Sequence, residues 1–226
     1  MLYTKEAARD NIRNREGRRV FYLGKGDQLT SEARDFLTRE RIEILPATEA
    51  KPARYRLPGG GYMDHKPENM THLNGDILVP KTHPRIAFRG AVDTLEAELL
   101  LCCAAASGDI RKDLEDALAY TRLLLRNEVL EEPAAEMCLG GLDEGALRER
   151  SHRPQDFYGQ PHFMPDPRDD ALLLQVNRAR CAARAAELKL AAAFPDSRED
   201  LLCAFNRLSS FLYLIMIQLK AKTKSM

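Results

Sequence analysis

DDALLLQVNRARCAARAAELKLAAA, residues 169–193, holds apolar side chains at Leu172, Val176, Ala179, Ala183, Ala186 and Leu190. Steps of four and three residues bring all six onto one side of an α-helix, because a turn takes about 3.6 residues. The run is therefore predicted to be a long helix with one narrow buried seam. The same period continues downstream. Leu201, Phe205, Leu208, Leu212, Ile215 and Leu219 form the seam of a last helix, and Ser197-Arg198-Glu199-Asp200 is a capping-box pattern that would open it.

Upstream, a helix predicted to start after Gly90 carries Val92, Leu95, Leu99, Cys102 and Ala106 as its stripe. Ser107-Gly108-Asp109 ends it and caps a second helix, which runs to about Leu130 with Leu114, Ala117, Thr121, Leu124 and Leu125 inward. A short helix follows from Leu142 to about Arg150. Residues 151–167 are rich in Pro, His, Tyr and Phe but show little period. Narrow seams on about five helices predict a mainly α fold, an up-and-down helical bundle, over residues 67–226. Residues 1–66 read as a small α/β N-terminal extension. Arg19–Leu23 is a strand candidate, Thr30 caps a helix to about Glu40, and Ile42–Leu45 is a second strand. The Pro- and Gly-rich stretch from Pro46 to Gly61 reads as a connector.

Composition narrows the function classes. Lys+Arg and Asp+Glu each number 34, so the formal net charge is zero, unlike the basic excess of a nucleic-acid binder. No run approaches the roughly 18 apolar residues of a membrane-spanning helix, and MLYTKEAARDNIRNREG lacks the apolar core of a secretory signal. The expectation is a cytoplasmic protein with reduced thiols and neither nucleic-acid nor membrane partners. Cys102, Cys103, Cys138, Cys181 and Cys203 are odd in number and lack C-x-x-C spacing, which argues against a disulfide framework or a zinc site. Cys102 and Cys103, in an apolar run, read as buried inert thiols. His65, His72, His83, His152 and His162 form no ligand pattern, and no metal site is predicted. Neither Gly24-Lys25-Gly26-Asp27 nor Gly59-Gly60-Gly61 has the spacing of a phosphate-binding loop.

The informative residues lie off the seams. Asn177, Arg180, Arg184 and Glu187 follow steps of three, four and three and share a second face of the long helix. Two arginines on one stripe can grip a polyphosphate through their rigid forks of donors. The same spacing also suits a plain solvated face. In the last helix, Asn206 and Ser210 lie four apart inside an apolar run with Arg207 and Ser209. Such a pair either joins a buried polar network or lines a cavity. Asp93, placed in the first turn of its helix, either complements the helix dipole or pairs with an arginine of another helix or subunit.

Several segments resemble a known family. Thr82–Glu98, THPRIAFRGAVDTLEAE, resembles the D-P-R-I-x-x-x-G-x-V-D-E-L-N motif of PduO-type ATP:cobalamin adenosyltransferases. Ala179–Glu187, ARCAARAAE, resembles their A-R-T-V-x-R-R-A-E-R helix, and Phe205–Ser210, FNRLSS, their L-N-R-L-S-D motif. KPENMTHLNGD and the N-terminal LTSEARDFLTRERIEI look like the ethanolamine-utilisation subgroup, EutT. The likeness covers about residues 20–220.

The resemblance implies a corrinoid adenosyltransferase that uses ATP, Mg²⁺ and cobalamin, supports ethanolamine ammonia-lyase, and works as a homo-oligomer, a trimer, in the cytoplasm or a bacterial microcompartment. It implies that Asp93 pairs with Arg180 across a subunit interface. It further implies that Arg184 binds the triphosphate, Glu187 braces the arginines and Asn206 contacts the nucleotide. Lys66 and the stretch Thr71, His72 and Asn74 stand in for the family's phosphate loop. Phe163 stands where the family places an aromatic over the cobalt, displacing its lower ligand. The chain departs from the motifs at Ala185, Leu188 and Ser210, where the family has Arg, Arg and Asp. The H-x(11)-C-C-x(2)-C motif of some EutT proteins is absent from the sequence. Rival readings are a cobalamin carrier on the same bundle, or a microcompartment docking protein using residues 1–66.

Overall fold

The structure is a computed structural model that describes residues 1–15, 17–49 and 55–224, and it divides into two units, Met1–His83 and Pro84–Met226. The first opens with strand β1 (Leu2–Tyr3) and helix α1 (Lys5–Asp10). Strands β2 (Arg13–Arg15), β3 (Arg18–Leu23) and β4 (Gln28–Leu29) follow. The Thr30 hydroxyl accepts from the Ala33 amide at 3.2 Å and so caps α2 (Ser31–Arg39), as its sequence predicts. Then come β5 (Glu43–Pro46), β6 (Tyr55–Arg56), β7 (Tyr62–Met63), β8 (Met70–Asn74) and β9 (Ile77–Pro80). Among the described residues, seven of these strands form one mixed sheet in the order β5-β3-β2-β7-β6-β9-β8. Ala8, Ile12, Phe21, Ala33, Leu37 and Ile42 are its buried cluster, where α1, α2 and the sheet meet.

Two features here depart from the sequence reading. The texture of the chain sets a division after residue 66, yet β8 pairs with β9 and β9 with β6, so the sheet continues to Pro80. The connector from Pro46 to Gly61 contains a 3₁₀ turn (Ala47–Glu49) and β6, with residues 50–54 outside the described ones. Its glycines have a packing reason. Gly61 has φ +89°, and a Cβ there would sit 2.6 Å from the Ile12 carbonyl oxygen.

The second unit is the helical bundle. Its long helices are α3 (Pro84–Ala105), α4 (Gly108–Leu130), α7 (Ala171–Ala193) and α8 (Glu199–Lys224), with the short α5 (Glu144–His152) and α6 (Pro154–Tyr158) between the second and third of these. The predicted stripe of α3 is buried throughout, as are Leu114, Ala117, Thr121 and Leu124 of α4. Phe88 of α3 meets Phe205 of α8 edge to face, centroids 5.5 Å apart, near the middle of this core. Helix α3 packs most extensively on α7, and α7 on α8.

Four details correct the sequence reading. Helix α3 begins at Pro84, where a proline's missing donor costs nothing, and Gly90 lies inside it. Asp93 is consequently more than two turns in, beyond the reach of the dipole at the helix end. In α7 the buried seam starts at Leu173, not Leu172, which is half-buried; from Val176 to Leu190 the seam is the predicted one. No capping box forms at Ser197-Arg198-Glu199-Asp200: Arg198 has φ +61°, and the Asp200 carboxylate accepts instead from Arg198 Nε (3.0 Å) and the Ala134 amide (2.7 Å).

A buried ion cluster ties the start of α3 to the end of α4. Glu128, with a side chain 0% exposed, accepts from Arg85 Nε at 2.5 Å and Arg89 Nε at 2.7 Å. The Arg85 guanidinium also lies 5.3 Å over the Phe194 ring. Helix α8 is apolar enough over Glu199–Thr223, at mean hydropathy 1.4, to match a membrane span by length and composition. Sixty-one per cent of that window is buried inside the bundle, which is the signature of a core helix.

Candidate functional site

Helix α7 turns one seam to the core and a second face outward, and that second face carries Asn177, Arg180, Arg184 and Glu187. The Arg180 fork donates twice to Asn177 Oδ1, Nε at 3.1 Å and Nη2 at 2.9 Å. This local pairing aims the guanidinium along the helix. Arg184, one turn on, is exposed and Glu187 half-buried. The Asn206 amide of α8 donates to Glu187 Oε1 at 3.0 Å. That bond bridges the two helices at the level of both polar faces. Ser209 and Ser210 back-bond to the Asn206 carbonyl, at 2.8 and 3.2 Å. The polar residues of α8 thus do both things open to them: they form a network and they line a cleft.

Two clefts meet here. A small one of about 220 Å³ is lined by Ser151, His152, Arg180, Arg184, Ser209, Ser210 and Tyr213. Guanidinium groups and hydroxyls in such a space suit an anion with several oxygens. A larger, shallower one of about 740 Å³ is lined by His162, Phe163, Met164, Pro165, Asn177, Arg180, Tyr213 and Met216. Arg180 and Tyr213 belong to both. The arginine-lined end therefore opens onto a face of apolar and aromatic side chains.

The loop before α7 supplies that face. The Tyr213 hydroxyl accepts from the Phe163 amide at 2.9 Å and donates to the Phe163 carbonyl at 3.1 Å. The His162 and Phe163 rings stack near Tyr213, centroids 5.7 and 6.0 Å away. Farther along α8, Lys220 pairs with Asp169 and places its ammonium 5.6 Å from the Phe163 ring. The Lys220 hydrogen bond holds the Asp169 carboxyl below its ordinary value, and Arg168 holds that of Asp166 down to about 2. Both remain anionic, each paired with a cation that lines neither cleft.

Not every residue singled out from the sequence converges on this place. Arg180, Arg184, Phe163, Glu187 and Asn206 are brought together on α7, α8 and the loop between α6 and α7. Asp93 is exposed on α3, and Arg180 turns to Asn177 rather than to it. Lys66, Thr71, His72 and Asn74 belong to the first unit. There β8 carries Thr71, His72 and Asn74, and His72 Nδ1 lies 2.9 Å from the Gly75 carbonyl oxygen. Tyr213, His162, His152 and Ser151 were not singled out from the sequence. For Tyr213 a signal existed: Asn206, Ser210 and Tyr213 step by four and three along one polar stripe.

Fold and site together define a helical-bundle protein with an arginine-lined cleft beside an aromatic-walled one. Residues 61–219 match the profile of a family described as Cobalamin adenosyltransferase, and the chain belongs to that family. It is 33% identical over 162 residues to the Corrinoid adenosyltransferase EutT of Salmonella typhimurium, a match covering 70% of this chain and 61% of the relative. The Escherichia coli K12 protein of the same name is 32% identical over 157 residues, 67% of this chain and 59% of the relative. The chain thus spans about three fifths of the length of these curated relatives. Its fold is similar to that of a variant PduO-type ATP:corrinoid adenosyltransferase from Lactobacillus reuteri, complexed with cobalamin and ATP. The TM-score is 0.56 at 16% identity, covering 69% of this chain and 89% of that one. A second variant of that enzyme, complexed with ATP, aligns at TM-score 0.53 and 18% identity, covering 69% and 92%.

Proposed function

We propose that the protein is an ATP:corrinoid adenosyltransferase of the ethanolamine-utilisation type, moving the 5′-deoxyadenosyl group of ATP to cob(I)alamin. The observation that carries this reading is the meeting of the two clefts at Arg180 and Tyr213, one lined by two arginines and the other by Phe163. Family membership supports it.

In the reaction the cobalt electron pair forms a Co–C bond to C5′ of the ribose. The C5′–O bond breaks and triphosphate departs with its electrons. No proton moves at the reacting carbon, so the protein's work is positioning and charge. Holding the two reactants in line is worth about 7–11 kcal/mol in such a displacement. Arg184 and Arg180 would neutralise the departing polyphosphate as its charge develops. Glu187, fastened to Asn206, would fix the arginine-bearing face against α8, with Asn206 beside the nucleotide. Phe163 would occupy the lower face of the corrin and exclude water from it. The resemblance alone assigns Lys66, Thr71, His72 and Asn74 to phosphate. Mg²⁺ would arrive bound to phosphate oxygens. The side chains lining the small cleft are cationic or neutral and offer it no carboxylate.

The active assembly would be a homo-oligomer, a trimer, with Asp93 of one copy paired to Arg180 of the next. Exposed apolar residues on the same two helices support that arrangement. Leu100 and Leu101 of α3 are 48% and 52% exposed, and Leu188 of α7 is 69% exposed. Ethanolamine ammonia-lyase would be the consumer of the product, in the cytoplasm or a microcompartment.

The deciding experiment supplies ATP and chemically reduced cobalamin and follows adenosylcobalamin by its absorbance. ATP-dependent product is expected. Corrinoid binding without product would identify a carrier instead, and binding of neither ligand would end both readings.

A further inference from the structure

We propose that Tyr213 and Lys220 are positioning residues that strap the loop of residues 162–169 onto α8 and set the height of Phe163 over the larger cleft. The inference rests on the adenosyltransferase reading and extends it to residues outside the family motifs.

The two residues lie seven apart on α8, hence on one face and two turns from each other. Tyr213 holds the near end of the loop. A single phenol hydroxyl takes the Phe163 amide proton and returns its own proton to the Phe163 carbonyl. Both polar groups of that peptide segment are thereby satisfied by one side chain fifty residues away. The Tyr213 ring meanwhile lies nearly parallel to the Phe163 ring, 24° between planes. Lys220 holds the far end. Its partner Asp169 has a side chain only 4% exposed and also accepts the Asp166 amide at 2.8 Å. The Lys220 ammonium lies over the Phe163 ring itself, so one cation touches the loop twice. Pro165 and Pro167 limit the backbone between these points.

A loop pinned in this way keeps Phe163 in place before a ligand arrives. Losing a strap lets the aromatic ring rise and fall. Nucleotide binding at Arg184, Ser209 and Ser210 of the small cleft does not depend on that height. The Lys220 strap should therefore govern the corrin's lower face and leave the affinity for ATP alone.

The test compares the full-length wild type with Tyr213→Phe, which keeps the ring and removes both hydrogen bonds. ATP affinity is measured by titration. The four-coordinate fraction is measured by electron paramagnetic resonance after cob(II)alamin is added to the ATP complex. Lys220→Met, at a residue that lines neither cleft, should bind ATP within about twofold of wild type. Its four-coordinate fraction should fall about five- to tenfold, the scale of one net hydrogen bond. Turnover should suffer more from cob(II)alamin than from prereduced cob(I)alamin. Tyr213→Phe should show the same fall in the four-coordinate fraction, and Lys220→Arg, which keeps a cation, should recover most of what Lys220→Met loses. A wild-type four-coordinate fraction in Tyr213→Phe overturns the proposal. If Tyr213→Phe does not fold, the same result in Lys220→Met overturns it. A wild type that yields neither four-coordinate signal nor adenosylcobalamin brings down the adenosyltransferase reading, and the assigned role of the straps with it.

Discussion

Arg184 and Arg180 sit one turn apart on the same face of α7 but in different surroundings. Arg180 leans on Asn177 and joins both clefts. Arg184 is exposed, its charge directed into the small cleft beside Ser209 and Ser210. A guanidinium in that position matters only to a ligand, so its removal should separate activity from stability. Arg184→Ala is expected to lower turnover by about two to three orders of magnitude, the scale for deleting one group that stabilises developing charge. The melting midpoint should stay within about 2 °C, as for most exposed substitutions. Steady-state kinetics and a thermal melt check both halves, and wild-type turnover removes the arginine from the mechanism.

At the scale of elements, the bundle depends on seams and on one buried charge cluster that no seam reveals. Leu114, Leu124, Val176, Leu190, Leu208 and Leu212 are all 0% exposed, and each was legible from spacing alone. Glu128 was not. A step of four past Leu124 places it on the α4 seam, where its charge reads as out of place, and there it takes hydrogen bonds from Arg85 and Arg89 across the start of α3. Truncating it removes the carboxylate that two largely buried cations share, while Arg85 keeps its contact with Glu131 at 3.0 Å. Glu128→Ala is therefore expected to cost about 3–5 kcal/mol, seen as a lower midpoint in chemical denaturation followed by circular dichroism. A loss below about 1 kcal/mol, the value of a surface pair, would contradict this account. Shorter elements escaped sequence reading for a different reason. β6 and β7 are two residues each, too short to show an alternation, and helix α6 hides in a stretch of prolines and aromatics.

For the whole molecule, the proposal with a direct test is that a second copy of the chain completes the site. Asp93 lies mid-helix on α3, exposed, where no helix dipole accounts for it. An inter-subunit pair with Arg180 predicts a charge-swap pattern. Asp93→Arg and Arg180→Asp should each weaken assembly in sedimentation velocity and reduce turnover. The double variant, which restores the pair with reversed sign, should regain the oligomer. A wild type that sediments as a monomer at working concentration would sink the shared site.

By itself the sequence determined the bundle, its four long helices, and the placement of Arg180, Arg184 and Glu187 on one face of α7. These follow from local periodicity, since residues three or four apart are held together by the helix they form. Only the tertiary structure decided that Tyr213 grips the Phe163 loop, that Glu128 pairs with Arg85 and Arg89, that α3 begins at Pro84, and that the sheet runs on to Pro80. Those outcomes join residues tens of positions apart, where chain spacing carries no signal. They are set by which buried polar groups find partners once the helices and strands have packed.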